Sequence, residues 1–348
     1  MALGFALALS AALLVYVLTP GVRLLVTKLG MIDYPGKRRV HQRPIPRGGG
    51  LAIYAAFWLV ILIGTKMSST PFNMDLLWLF IGSSFLVFVG LLDDRYDLPP
   101  LMKLIGQIIA AVVVVLGGHR IEFLSNPWGG MIHIGGWGIP LTVLWLVTVT
   151  NMINFIDGLD GLAAGVSGIA CVSLAVVAIR MNRPGIALLT MILAGSAFGF
   201  LPYNFNPARI FMGDAGAMFL GFMISVFAVD GALKGATAIA LVIPVLALGV
   251  PVMDTFFAVI RRLLVGKPFY QADQGHLHHR LLALGLTQRQ AVYTIYALSG
   301  FMGMSAVAAL SLDTGQLLSV VALILVVACV FAQKVGVLPA KEHRHLHR

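Results

Sequence analysis

Apolar residues run along this chain in long, nearly unbroken stretches, separated by short segments rich in Asp, Asn, Gly, Pro and basic residues. Continuous runs of this kind predict membrane-spanning helices, because a hydrocarbon core about 30 Å thick takes about 20 helical residues. Lipid-facing strands would instead alternate between apolar and polar residues. The pattern predicts eleven spans, near 2–26, 50–66, 75–92, 100–118, 137–153, 161–180, 186–203, 215–230, 235–263, 291–310 and 315–333. The ninth run is overlong and contains Pro244 and Pro251, so its helix is expected to be kinked or broken. The first run reads as a retained span, since no basic residue precedes it as in a leader. The expected fold is an all-α polytopic integral membrane protein, with one transmembrane domain over 1–333 and a basic, His-rich tail over 334–348.

Composition agrees with that reading and narrows it. Of the 348 residues, 59% are hydrophobic and 11% charged, against about 25% charged in a soluble chain. Too few charges remain to cover a water-facing surface. A disordered chain, a nucleic-acid-binding domain and a secreted disulfide scaffold are therefore set aside. Cys171 and Cys329 lie in apolar runs and read as small core residues. The net charge of +10 reflects topology. Of 24 basic residues only five (Lys66, Arg120, Arg180, Arg183 and Lys234) fall on the face opposite the long 27–49 and 264–290 loops. Positive charge collects in the cytoplasm, which predicts an outside N-terminus and a cytoplasmic C-terminus.

The acids follow the same face, although the positive-inside bias makes no demand on them. Asp33, Asp93, Asp94, Asp97, Asp157, Asp160, Asp214, Asp254, Asp273 and Glu342 lie on it or just within it. A carboxylate embedded in apolar sequence is costly and points to function. Asp93, Asp94 and Asp97 close the third span; on a helix Asp93 and Asp97 share a face, and the three repel unless a cation or proton intervenes. A metal or proton-transfer role competes there with a solvated helix end. Asn151, Asn154, Asp157 and Asp160 recur every third residue at the end of the fifth span, with Gly158 and Gly161 permitting a turn. A helix cap accounts for Asp160 alone. Asp214, in Phe211-Met212-Gly213-Asp214, opens the eighth span. Free N–H groups and the dipole suit a phosphate there, or a carboxylate holding Mg²⁺, or Asp214 is simply an N-cap.

In the last long loop, Asp273-Gln274-Gly275-His276-Leu277-His278-His279-Arg280 follows Arg261, Arg262 and Lys267. It suits anionic lipid headgroups, zinc, or hydrogen bonds to a phosphate or sugar, and the nearby carboxylates favour a hard cation over zinc. Polar groups from five loops thus share one interface. A cavity there opens to both phases and fits phosphoryl transfer from a water-soluble donor to a lipid acceptor.

Asp93-Asp94-x-x-Asp97, Asn151-x-x-Asn154-x-x-Asp157-Gly-Leu-Asp160-Gly, Phe211-Met-Gly-Asp214 and His276-x-His278-His279, in that order, resemble the polyprenyl-phosphate N-acetylhexosamine-1-phosphate transferases. The resemblance covers about Asp33 to Gln290. His-x-His-His is similar to the bacterial undecaprenyl-phosphate GlcNAc-1-phosphate transferases, whereas the phospho-MurNAc-pentapeptide translocases carry three consecutive His and Lys in place of Asp97. Arg38-Arg39-x-His41 and Pro44-x-Pro46-Arg47-Gly48-Gly49-Gly50 also look like the first loop of the GlcNAc branch.

The resemblance implies transfer of GlcNAc-1-phosphate from UDP-GlcNAc to undecaprenyl phosphate, releasing UMP, with Mg²⁺ as cofactor and Mn²⁺ as its substitute. It implies Asp214 and Asn154 as metal ligands. Asp93, Asp94, Asp97, Asp157 and His279 become the expected catalytic residues, with Asp93 and Asp94 binding or deprotonating the lipid phosphate or lying near the metal. Asp160, Asn204 and Phe211 would contact uridine, Lys103 the phosphates, and His276, His278 and Arg280 the sugar-phosphate; Arg47, Asn151 and Arg209 complete the expected substrate contacts. The site would be formed by cytoplasmic loops of the bacterial inner membrane. Expected partners are the two substrates, the lipid bilayer and, at most, further copies of the chain; nucleic acid is not among them. A peptidoglycan-type translocase, a transferase for another UDP-N-acetylhexosamine, and a secondary transporter remain the alternatives. A transporter would gather its polar groups at the bilayer midplane and show an internal repeat.

Overall fold

The computed structural model describes residues 2–35, 43–67, 73–125, 131–233, 242–264, 266 and 275–334. Arg38, Arg39 and His41 of the first loop, Lys234, Lys267, Asp273 and Gln274, and the tail from 335, including Glu342, lie outside the described residues.

The apolar runs become helices α1 (Ala2–Lys28), α2 (Gly50–Met67), α3 (Met74–Tyr96), α4 (Pro100–Leu116), α5 (Gly138–Ile156), α6 (Leu162–Arg180), α7 (Pro184–Asn204), α8 (Gly213–Ala228), α9 (Val242–Ala247), α10 (Gly249–Leu264), α11 (Leu277–Ala283), α12 (Gln288–Ala309) and α13 (Thr314–Lys334). Among the described residues eight helices are long and apolar enough to cross a bilayer, and two shorter apolar helices correspond to the second and fourth spans. The ninth run is broken, as its prolines predict: α9 ends at Ala247 and α10 begins at Gly249. The protein is an all-α polytopic membrane protein, in which helices satisfy their own backbone groups away from water.

At the centre stands α8, buried at every residue from Ala215 to Ala228. It packs against α2, α3, α5, α6 and α7. Glycines let these backbones meet: a Cβ at Gly50 would overlap Gly216, and one at Gly90 would overlap Ala215. Small residues at helix crossings are how membrane helices gain van der Waals contact.

Chain direction then sorts the helix ends. The C-terminal ends of α3, α5 and α7 meet the N-terminal ends of α4, α6 and α8 at one end of the bundle. At the opposite end His119, after α4, bonds both Asp230, after α8, and the Asp75 carbonyl at the start of α3.

Three features depart from the pattern-based expectation. Helix α3 runs four residues past its apolar stretch, to Tyr96. Short antiparallel ribbons pair Ile32–Asp33 with Ile45–Pro46 and Phe123–Ser125 with Met131–His133. The last long loop contains α11. Elements of two to seven residues are too short to print a period on the sequence.

Candidate active site

The third span ends in two different ways for its three carboxyls. Asp93 and Asp94 stay on the helix and are 5% and 2% exposed. Asp97 is the C-cap, with φ 48° and ψ 68°, and Pro99 and Pro100 follow it. That left-handed turn removes Asp97 from the helical face it was expected to share with Asp93. Its side chain is 78% exposed and pairs with Arg47 at 2.6 Å. Arg47 also donates through Nε to the Asp94 carbonyl at 2.6 Å, so it clamps the end of α3. The expected trio is therefore a pair.

Asp94 reaches across to α8. Its Oδ1 accepts the Asp214 N–H at 2.9 Å and its Oδ2 the Ala215 N–H at 3.2 Å. These are the helix N-terminal donors that the sequence leaves open to a phosphate, and a carboxyl from a neighbouring helix takes them instead. Gly213 makes the approach feasible: its φ is 74°, and a Cβ there would overlap the Asp94 carboxyl. Asp93 accepts from the Leu98 N–H at 2.8 Å and from Lys103 Nζ at 3.2 Å. Lys103 Nζ also donates to Asp214 Oδ2 at 2.9 Å, bridging the two carboxyls.

Around the fifth span, Asn151 exchanges side-chain hydrogen bonds with Gln107. Asn154 bonds to the Asp214 carboxyl. Asp157 is the C-cap of α5. Burial pushes its carboxyl up to about 8, and the negative charges of Asp214, Asp94 and Asp160 add to the shift. Asp160 Oδ2 accepts from Asn206 Nδ2 and from the Ala208 N–H, each at 3.0 Å. Asn204 uses both halves of its amide, accepting from the Gly161 N–H and donating to the Ile210 carbonyl at 3.1 Å each. These bonds lock the 157–161 turn to the 205–212 loop. The backbone of Phe211 is pinned in turn, its N–H donating to the Pro46 carbonyl and its carbonyl accepting from the Gly49 N–H.

The histidine motif divides. His276 and His278 are 8% and 3% exposed. His276 bonds to Asp254, and a Cβ on Gly158 would overlap the His278 ring. Burial lowers the His278 imidazole to about 3, with the charge of His279 adding to the effect, so it is neutral at physiological pH.

A cavity of about 1010 Å³ opens between these loops. Arg47, Asp94, Asp157, Asp160, Asn204, Arg209, Phe211, Asp214 and His279 line it. Asp93, Asp97, Lys103, Asn151, Asn154, Arg280, His276 and His278 are not among the residues lining it. Direct sugar-phosphate contact was expected of His276 and His278, and their burial in the protein removes them from the wall. The cavity matches the upper end of small-molecule sites, roughly 300–1,000 Å³, and so has room for a nucleotide sugar.

Sequence reasoning missed Arg23, Arg43, Asn206 and Gln288 on the wall and Gln107 behind it, and placed Asp254 among the acids of this face without a role. Gln107 carried a signal, being an amide inside an apolar span. Arg23 and Arg43 carried none, since topology already accounts for basic residues on this face.

The donor set suits a hard divalent cation. Asp93, Asp94 and Asp214 together outnumber the charge of Lys103, and every oxygen donor is a carboxyl or an amide. Among the described residues no three His, Cys, Asp or Glu side chains are already arranged as a metal cage.

The family model described as Glycosyl transferase family 4 matches residues 76–232. The chain is 38% identical over 330 residues to a probable undecaprenyl-phosphate N-acetylglucosaminyl 1-phosphate transferase of Bacillus subtilis, covering 94% of this chain and 91% of that protein. It is 35% identical to a decaprenyl-phosphate N-acetylglucosaminephosphotransferase of Mycolicibacterium smegmatis, covering 92% of this chain and 86% of the relative. A Yersinia pestis protein named undecaprenyl-phosphate alpha-N-acetylglucosaminyl 1-phosphate transferase is 27% identical, over 81% of this chain and 78% of its own length.

Proposed function

The chain belongs to glycosyl transferase family 4, in the branch of the polyprenyl-phosphate N-acetylglucosamine-1-phosphate transferases, and on that premise we propose that it moves GlcNAc-1-phosphate from UDP-GlcNAc to undecaprenyl phosphate, releasing UMP. The observation that carries this reading is the cavity itself. It lies at one end of a membrane bundle and brings Asp94, Asp157, Asp214 and His279 to one wall, with arginines and Phe211 beside them.

In this reading Phe211 stacks on the uracil, in the part of the cavity that Asp160 and Asn204 shape. Arg209 and Arg47 attract the diphosphate. Asp214 and Asn154, already bonded to each other, hold Mg²⁺ together with Asp93. When bound, the ion neutralises charge on the donor phosphates and the leaving UMP. An oxygen of the lipid phosphate attacks the phosphorus that bears GlcNAc; a new P–O–P link forms, and the bond to the bridging oxygen breaks, leaving that oxygen on UMP. The lipid phosphate is already largely ionised near neutral pH, with a second pKa of about 6, so no strong base is needed. Lys103 sits between Asp93 and Asp214, within reach of any phosphate they gather. Asp157, whose carboxyl is held above the ordinary carboxylate range by burial, faces the donor phosphates from the cavity wall.

The basic residues support a cytoplasmic active site, an outside N-terminus and a bacterial inner-membrane location. The product would start a cell-envelope polysaccharide such as O-antigen, common antigen or a teichoic-acid linkage. Purified protein with Mg²⁺, undecaprenyl phosphate and a panel of UDP-sugars tests the reading. UMP release with UDP-GlcNAc, abolished by EDTA, is expected. No turnover with any donor would overturn it and return transport to first place.

A further inference from the structure

Asp254 does not line the cavity, yet it is 4% exposed and both its oxygens are used. It projects from α10, the second half of the broken span. Its Oδ2 is 2.8 Å from His276 Nδ1, and its Oδ1 accepts the Leu277 N–H at 2.7 Å. One side chain thus grips the ring and the backbone that start α11. A carboxyl acceptor places the hydrogen of His276 on Nδ1. From there the rings run toward the cavity: His276 is parallel to His278 at 5.9 Å, and His278 lies 4.2 Å from His279. His278 is wedged against Gly158 and Gly275 against the Arg261 guanidinium, so the segment has little freedom to shift once Asp254 holds it.

We propose that Asp254 is a positioning residue: by holding His276 and the Leu277 N–H it sets α11 so that His279 meets the substrate in the cavity. The proposal rests on the transferase reading above and adds a residue that touches neither substrate.

Asp254→Asn keeps the size of the side chain and an acceptor for Leu277, but turns an NH₂ toward His276. In the UMP-release assay its kcat/KM is expected to fall about 10- to 100-fold, the range seen when the partner orienting a functional histidine is removed. The loss should lie mainly in kcat, because the uridine pocket is built from other loops. His276→Ala should fall as far, and the double variant no further. His276→Asn, whose amide nitrogen can take the place of Nδ1, should recover at least about tenfold over His276→Ala. Additive losses, an Asn no better than Ala, or an Asp254→Asn enzyme within twofold of wild type would each overturn the proposal. If Asp254→Asn does not fold, the two His276 variants decide alone.

A second readout needs no turnover. In ¹⁵N-histidine NMR of the full chain, Asp254→Asn should move the His276 proton from Nδ1 to Nε2, and an unchanged tautomer would overturn the contact. A tautomer shift on Asp254→Asn, alongside a wild-type protein that releases no UMP, would overturn the transferase reading and leave the contact standing.

Discussion

The bond from Asp94 to the start of α8 makes a sharp prediction. In Asp94→Asn one carboxyl oxygen becomes an NH₂, so either the Asp214 or the Ala215 N–H loses its acceptor and faces a donor. Asp94 is 2% exposed, and water cannot readily replace the lost bond. A buried N–H left unsatisfied costs about 1–3 kcal/mol. At 1.4 kcal/mol per decade, amide exchange through local opening of this turn should rise about 5- to 150-fold. Hydrogen–deuterium exchange with mass spectrometry, read on a peptide covering 211–218, measures this directly. Peptides from α6 serve as an internal control, since α6 makes no bond to Asp94. Activity should fall with it, because Asp214 moves when its helix end frays. Unchanged exchange at 211–218 beside a large loss of turnover would refute the reasoning: Asp94 would then act on substrate alone, and its bonds to α8 would carry no energy.

Further outcomes follow from the same geometry. Asp214→Asn should abolish UMP release while the protein still inserts and runs as a single species in detergent, and near-normal turnover would remove Asp214 from the metal site. Phe211→Ala should raise the KM for UDP-GlcNAc about tenfold, at the scale of about 1–3 kcal/mol for a base stacked on an aromatic ring; a fall confined to kcat would show that the ring does not stack on uracil. His278 gives a signed pH effect. Its imidazole is pushed down to about 3 in the fold and titrates near 6.5 when unfolded, so between those values the unfolded chain binds the extra proton. Its contribution to stability is complete above pH 6.5 and is lost as pH falls from 6.5 toward 3. Melting curves from pH 7.5 to 4.5 should therefore be less acid-sensitive in His278→Asn than in wild type, and parallel curves would contradict the buried, neutral imidazole.

The order of spans and the motifs at their ends are legible in the sequence because the bilayer enforces them. A run long enough to cross must be apolar, so an Asp, Asn or His at its end stands out. Asn151 and Asn154 could be placed together because three-residue spacing on a helix makes neighbours. The same rule failed for Asp97, since it holds only while the helix continues and α3 stops at Tyr96. It was silent for Asp254, an isolated acid whose partner lies 22 residues on. Asn204 was legible as a candidate position, but its bonds to Gly161 and Ile210 cross between loops and leave no local mark.

By itself, then, the sequence determined an all-α membrane protein with a broken ninth span and a polar face fed by several loops. Each of those properties follows from local composition measured against the bilayer. The tertiary structure decided which polar atoms meet. Asp93, Asp94 and Asp97 sit within five residues, yet one binds Lys103, one takes the N–H groups of α8, and one turns outward to Arg47. A hydrogen bond between helices depends on how their backbones cross, and the crossing is set by glycines such as Gly50, Gly90 and Gly213, far in sequence from the partners they bring together.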